Sequence, residues 1–177
     1  MFFIEYYSIP HCFYGGKEFN NLFEFSASNI NSYFKKISLE LKNIFRRTIN
    51  YSNLTPAYSY YLIFSSSINI ISNLTVEWRV ERYFLYDKPW KSTIYDETTL
   101  VNKITYQIMP SLRFRSISQF YTRTKNLVIF PLFSYEPIPF TVFYIGANVN
   151  VAKLDKPFGI KGSNHQIFLK FQYLFKI

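Results

Sequence analysis

The sequence predicts an all-β fold, an antiparallel up-and-down transmembrane β-barrel section of about nine or ten long strands, either closed or incomplete. Three observations lead to this prediction. Apolar and polar residues alternate along much of the chain, which is the period of a β-strand with two different faces. The alternating segments run for about ten residues or more, the length that a tilted membrane strand requires. Of the 177 residues, 21% are aromatic and only 18% are charged.

Ten segments along the chain have the composition and length of strands, and turn-forming or polar residues separate them. The first is the weakest, because its alternation is irregular, whereas the segments that begin at residues 72, 99 and 165 alternate most regularly. In order, the predicted strands are Phe2–Ile9, Asn21–Ile30, Lys35–Ile49, Ala57–Ile70, Ser72–Tyr86, Thr99–Ile108, Ser111–Arg123, Lys125–Tyr135, Phe140–Ala152 and His165–Ile177. Together they form one domain, a single β-barrel region over residues 1–177.

The connections between these strands are predicted to alternate between long and short. The long ones are residues 10–20, 50–56, 87–98 and 153–164, and a tight turn at Thr124 is the expected exception. Outer-membrane barrels have short periplasmic turns and longer external loops. The long connections are therefore expected on the outside.

The alternation assigns side chains to two faces, because successive residues of a strand point in opposite directions. One face is apolar and aromatic, and the other carries the charges. The residues expected to face lipid or to lie in an aromatic girdle are Trp78, Phe171, Tyr173 and Phe175. The residues expected to face the lumen are Glu77, Arg79, Glu81, Arg113, Arg115, Gln119, Lys170 and Gln172.

Other classes of protein find little support. A single cysteine, Cys12, excludes a disulfide scaffold, and two histidines make a metal centre unexpected, so no metal and no cofactor is predicted. The net charge of +9 is not concentrated in any run of more than two Lys or Arg, so no nucleic-acid partner is predicted. No constellation of catalytic residues is visible, and we expect no enzyme activity.

Three stretches in the C-terminal half resemble the DUF5916 family, and the best match covers residues 99–177. In LVNKITYQIMPSLRFRSISQF a turn at Pro110 precedes Arg113, Arg115 and Gln119. In FSYEPIPFTVFYIGANVN the chain turns at Pro137 into an apolar strand, and HQIFLKFQYLFKI is similar to the closing strand of the family.

The sequence departs from the family pattern at three positions. Glu136 and Ile138 stand where the family usually has a basic residue and a glycine on either side of the proline. The final residue is Ile177, whereas the generic barrel-assembly signal ends in Phe.

The resemblance implies a place and partners for the chain. Members of this family are large bacterial proteins with an outer-membrane-type barrel behind an N-terminal domain similar to family 9 carbohydrate-binding modules. On this resemblance, the chain is expected to be the C-terminal section of such a barrel, located in the cell outer membrane. Its implied partners are outer-membrane lipid, the barrel-assembly machinery, and an extracellular glycan bound through the missing domain.

The expected function is structural: a segment of the outer-membrane β-barrel of a bacterial surface protein whose relatives bind or process extracellular carbohydrate. The alternative is a soluble β-sandwich or lipocalin-like binding protein with an aromatic core. The two hypotheses differ in what covers the apolar face, which is hydrocarbon in the first and a second layer of protein in the second.

Overall fold

A computed structural model describes residues 1–33, 36–88, 91–152 and 161–174, and in these ranges the chain forms ten β-strands and no helix. The end of the last predicted strand, including Phe175 and Ile177, lies outside the described residues, as does Lys35 at the start of the third. The strands are β1 (Phe2–Tyr14), β2 (Lys17–Tyr33), β3 (Ile37–Asn50), β4 (Thr55–Ile71), β5 (Leu74–Tyr86), β6 (Thr93–Met109), β7 (Leu112–Tyr121), β8 (Asn126–Ile138), β9 (Thr141–Ala152) and β10 (Lys161–Tyr173).

The ten strands make one antiparallel sheet in which each strand is hydrogen-bonded to the next along the chain, from β1 to β10. This confirms the predicted all-β antiparallel meander. β1 and β10 each have a single neighbour among the described residues, so they form the two ends of the strand order.

The largest difference from the predicted elements concerns residues 10–20, which were expected to be a long connection. β1 instead continues to Tyr14 and β2 begins at Lys17, with Gly15 and Gly16 as a two-residue turn. Both glycines have positive φ angles, 58° and 75°. That backbone is typical of the hairpin turns whose twist matches the strands, and two consecutive glycines adopt it without a steric penalty.

The connections differ in length between the two edges of the sheet. At one edge, here the short-turn edge, β2–β3, β4–β5, β6–β7 and β8–β9 are joined by two or three residues. At the other, the long-loop edge, the connections after β3, β5, β7 and β9 have four to eight residues. The predicted alternation is present, but the exception is the glycine turn after β1 and not the turn at Thr124, where four residues separate β7 from β8.

The strands are strongly staggered relative to one another. A line drawn across the sheet through directly opposed residues, one on each strand, begins at Phe2, at the short-turn edge of β1. It ends at Gly162, at the long-loop edge of β10. The short-turn end of β10 is Tyr173, so the offset reaches eleven residues over nine steps between strands. With ~3.4 Å per residue and ~4.8 Å between strands, this stagger corresponds to a strand tilt of about 40°.

The register sorts the side chains onto a polar face and an apolar face. The polar face contains Glu77 and all residues opposite it, such as Ser67 and Lys103. The apolar face contains Trp78 and its opposite residue Ser66. The larger apolar side chains of this face are widely exposed, and no large side chain among the described residues is fully buried. A small buried cluster of Phe19, Leu22 and Ile49, near the long-loop edge, is the part of the described chain that is packed like a core.

The polar face is the concave one. A cavity of about 800 Å³ is lined by side chains of that face from β3, β4, β5 and β6, and by Arg123 just beyond β7. Side chains from strands three or four positions apart border this one cavity, which indicates that the sheet curves toward its polar face over β3 to β7. Most of the charges therefore lie on the inside of the curve and most of the aromatic residues on the outside, although Arg82 and Asp96 form an ion pair on the outer face.

One glycine on the polar face is required by close packing between strands. Gly146 on β9 lies opposite Phe168 on β10. A Cβ atom at Gly146 would lie 2.5 Å from Cζ of Phe168 and 3.0 Å from Cδ1 of Leu132 on β8. The ring of Phe168 thus occupies the space over a position that has no side chain.

We expect the substitution Gly146→Val to lower the free energy of unfolding by about 1–3 kcal/mol, because the added methyl groups displace the Phe168 ring. The control is Ala147→Val, one residue along and on the other face, which should change stability by less than about 0.5 kcal/mol. Chemical denaturation followed by tryptophan fluorescence measures both. Equal effects of the two variants, or an undiminished loss in a Phe168→Ala background, would contradict the packing described.

Candidate functional site

The concave polar face brings together all of the charged and polar residues singled out in the sequence. β5 contributes Glu77, Arg79 and Glu81, and the ladders place them in line with side chains of β7 and β10. Gln119, for example, lies opposite Val101, which in turn lies opposite Arg79. By the same register the remaining members of this face are Arg113, Arg115, Lys170 and Gln172.

Carboxylates on β2 and β5 hold the neighbouring cations on this face. Oε2 of Glu77 lies 2.5 Å from Nζ of Lys103, and Oε1 of Glu81 lies 2.6 Å from Nε of Arg79. Nε of Arg46 lies 2.6 Å from Glu24. All six side chains are partly exposed, so water screens the pairs, and each contributes little to stability. Their main effect is to orient the six charged side chains on the polar face.

Near the long-loop edge, the cavity of about 800 Å³ is lined by tyrosines with charged partners. Tyr61 donates a hydrogen bond to Glu81, and Tyr95 donates one to Glu97. The ring of Tyr83 meets those of Tyr61 and Tyr95 edge-on, with centroids 6.1 and 5.9 Å apart. The guanidinium of Arg123 lies over the Tyr95 ring, 4.3 Å from its centroid. This arrangement offers both aromatic faces and charged groups.

A second cavity, of about 430 Å³, lies toward the short-turn edge of the same face. Its lining is mainly polar and comes from four strands, β6 to β9. The cationic members are Lys103, Arg113 and Arg115, and Glu136 is the one carboxylate among its described lining residues.

The convex apolar face carries the aromatic residues that were predicted to face lipid. Trp78 is 45% exposed and Phe171 is 60% exposed, and no described element covers either of them. Tyr173 lies on the same face at the end of β10 and is also exposed. Phe175, the fourth residue of this group, lies outside the described residues.

Aromatic residues of this face form two groups of ring contacts, and Phe171 of the predicted lipid-facing residues belongs to the second. One group, on β3 to β5 toward the long-loop edge, has ring contacts between Phe45 and Tyr58 and between Tyr60 and Phe84. The other, on β7 to β10 toward the short-turn edge, has contacts that join Phe114 to Phe133 and Phe143 to Phe171, with centroids 4.7 and 4.9 Å apart.

Sequence reasoning missed the tyrosines of the first cavity and Lys103. Tyr95 had been placed in the expected loop 87–98, but β6 begins at Thr93 and pairs Tyr95 with Leu85. Lys103 belongs to a segment correctly predicted as a strand, but its pairing with Glu77 depends on the register between two strands. Opposite charges on neighbouring predicted strands were the signal available for Lys103.

No family model matches the chain, and no curated protein is significantly similar to it. The resemblance to the DUF5916 family therefore stays a prediction. Within the described ranges there is no group of three or more His, Cys, Asp and Glu side chains placed to hold a metal ion. Over the same ranges, no helix has the length and apolar character needed to cross a membrane.

The pair Glu77–Lys103 gives a test of the geometry of the polar face. In a double-mutant cycle with Glu77→Gln and Lys103→Met, we expect a coupling energy of about 0.2–1 kcal/mol, since both side chains are partly exposed. The coupling should shrink as salt is raised, because screening shortens the range of the attraction. Unfolding midpoints of the four proteins at low and high salt measure it. A coupling that salt does not change would contradict a solvated pair.

Proposed function

We propose that this chain is part of the wall of a transmembrane β-barrel in the outer membrane of a bacterium, where its convex face contacts lipid and its concave face lines the lumen. One observation carries the proposal. The exposed side of the sheet is mainly apolar and aromatic, with the pair Arg82–Asp96 as an exception, whereas most of the charges lie on the concave side. This is the reverse of a water-soluble β-protein, which buries its apolar face.

The geometry of the strands supports the same proposal. Membrane barrels have strands tilted by ~35–45°, and the stagger of this sheet corresponds to about 40°. The strands have ten to seventeen residues, enough to cross hydrocarbon at that tilt. One edge has uniformly short turns and the other has mostly longer connections, as barrels have on their periplasmic and external sides. The two aromatic groups fit the girdles found at the two interfaces of a membrane.

The alternative, a soluble β-sandwich or lipocalin-like binding protein, has less support. A sandwich needs a second sheet packed on the first, and the described residues form one sheet. A lipocalin-like barrel encloses an apolar interior, but the concave face here carries most of the charges.

The proposal also requires hydrogen-bond partners for the free edges of the two end strands. β1 and β10 each have one free edge, and lipid offers no hydrogen-bond partner to a backbone. In the membrane these edges must be paired, either with each other or with further strands of a longer barrel. Insertion would depend on the barrel-assembly machinery, and any contact with extracellular glycan would depend on a domain such as the resemblance implies.

The first test is how the purified chain behaves with and without detergent. We expect a folded, monodisperse protein only in micelles or vesicles, because the apolar convex face needs hydrocarbon around it. Its electrophoretic mobility should change on heating. A monomer that folds in buffer alone, with native near-UV circular dichroism, would overturn the proposal.

A second test compares neighbouring residues on opposite faces of β6. Leu100 is exposed on the convex face, and Thr99 lies on the concave face opposite Glu81. In lipid vesicles, Leu100→Arg should lower the free energy of unfolding by about 2–4 kcal/mol, the cost of a cation near the middle of the bilayer. Thr99→Arg should change it by less than about 1 kcal/mol, since its charge stays hydrated.

In a soluble protein the first of these two variants would be almost neutral, because an exposed Leu replaced by Arg loses little. A small effect of Leu100→Arg in vesicles, or equal effects of both variants, would therefore exclude a lipid-facing position for Leu100.

A further inference from the structure

We propose that the second cavity of the concave face, at the short-turn edge of β6 to β9, binds small oxyanions such as inorganic phosphate or a phosphate ester. The site goes beyond the proposed structural role, and its chemistry requires the folded sheet but no bilayer.

Charge is distributed unevenly over the concave face. Most of its carboxylates, such as Glu24, Glu77 and Glu81, lie on β1 to β5, and Glu97 lies at the start of β6. On the described parts of β7 to β10 the carboxylate of this face is Glu136, whereas Arg113, Arg115 and Lys170 are cations of the same face. This half of the concave face therefore attracts anions.

Two arginines of this cavity are held in no ion pair within the described part of the chain. Arg113 and Arg115 lie two residues apart on β7, so both point to the concave face. Among the described residues, neither forms an ion pair with a carboxylate. Lys103, the third cation of the cavity, is already neutralised by Glu77. Glu136 is the one carboxylate among the described lining residues besides this pair, so two guanidinium groups and one carboxylate leave the cavity with net positive charge.

One of these arginines is oriented by a hydrogen bond to a neighbouring side chain. Nε of Arg113 donates a hydrogen bond of 2.9 Å to Oε1 of Gln107. The amide nitrogen of Gln107 in turn donates to the carbonyl oxygens of Met109 and Pro110 in the β6–β7 turn, at 2.5 and 3.0 Å. The side chain of Gln107 is therefore fixed by the turn. Its contact leaves the terminal nitrogens of Arg113 available for a ligand.

Hydroxyl groups complete the set of donors. Thr105 lies directly opposite Arg115, and Ser134 lies directly opposite Arg113. A planar guanidinium binds two oxygens of a phosphate or carboxylate at once, and hydroxyl groups supply further hydrogen bonds. The cavity, about 430 Å³, is within the range of small-molecule sites. The ligand class is therefore an oxyanion whose oxygens accept hydrogen bonds from the guanidinium groups of Arg113 and Arg115.

Titration of the full chain, folded in detergent micelles, with inorganic phosphate tests the proposal by isothermal calorimetry at low salt. We expect saturable binding that Arg115→Gln weakens at least about tenfold, since a charged hydrogen-bond donor is lost. Arg115→Lys keeps the positive charge but loses the two-pronged guanidinium, so its phosphate affinity should lie between those of the wild-type protein and Arg115→Gln. The matched control is Arg46→Gln, which removes the same charge from an arginine already paired with Glu24 and should leave affinity within about twofold.

Two outcomes would overturn the inference: wild-type protein without saturable phosphate binding, or an equal loss in Arg46→Gln and Arg115→Gln, which would indicate general charge attraction. If Arg115→Gln does not fold, Ser134→Ala removes only a hydroxyl, and an unchanged affinity in that variant counts against the site. A chain that needs no detergent but binds phosphate would refute the proposed membrane role alone. A chain that inserts in vesicles but does not bind would refute this inference alone.

Discussion

The structure depends on a single constraint: the backbone hydrogen bonds of ten strands are satisfied within one layer, so every side chain must face one of two surroundings. In most domains a second layer covers one of the two faces and supplies the core. Here the described chain has no second layer, and its one small buried cluster, around Phe19 and Ile49, lies at an edge. Stability therefore has to come from the ladders and from whatever solvates the convex face.

Curvature turns this two-sided sheet into an inside and an outside. The sheet bends toward its polar face, so that residues of β3 and the end of β7 border one cavity. Bending brings charged side chains closer together, which requires counter-charges, and the pairs of Glu24 with Arg46 and Glu77 with Lys103 provide them. On β7, Arg113 and Arg115 form no ion pair among the described residues, and in this they differ from Arg46 and Lys103.

The sequence predicts the fold class and the faces well because both depend on a local period of two. Trp78 and Glu77 are adjacent and their opposite directions follow from strand geometry alone. The β1–β2 hairpin could not be predicted in the same way, because residues 10–20 combine a proline, two glycines and charges and resemble a loop. Cross-strand partners, such as Lys103 for Glu77, depend on register, which composition does not contain.

The stagger of the sheet also determines how much membrane thickness each strand can span. β7 is the shortest strand, with ten residues, and its neighbours on either side are longer. At a tilt of about 40°, ten residues rise about 25 Å along the barrel axis, which equals the apolar height of outer-membrane barrels. In a thicker bilayer the wall would fall short first at β7, and the lipid there would have to thin locally. The proposed barrel wall therefore favours thin membranes, and β7 is the strand that determines the preference.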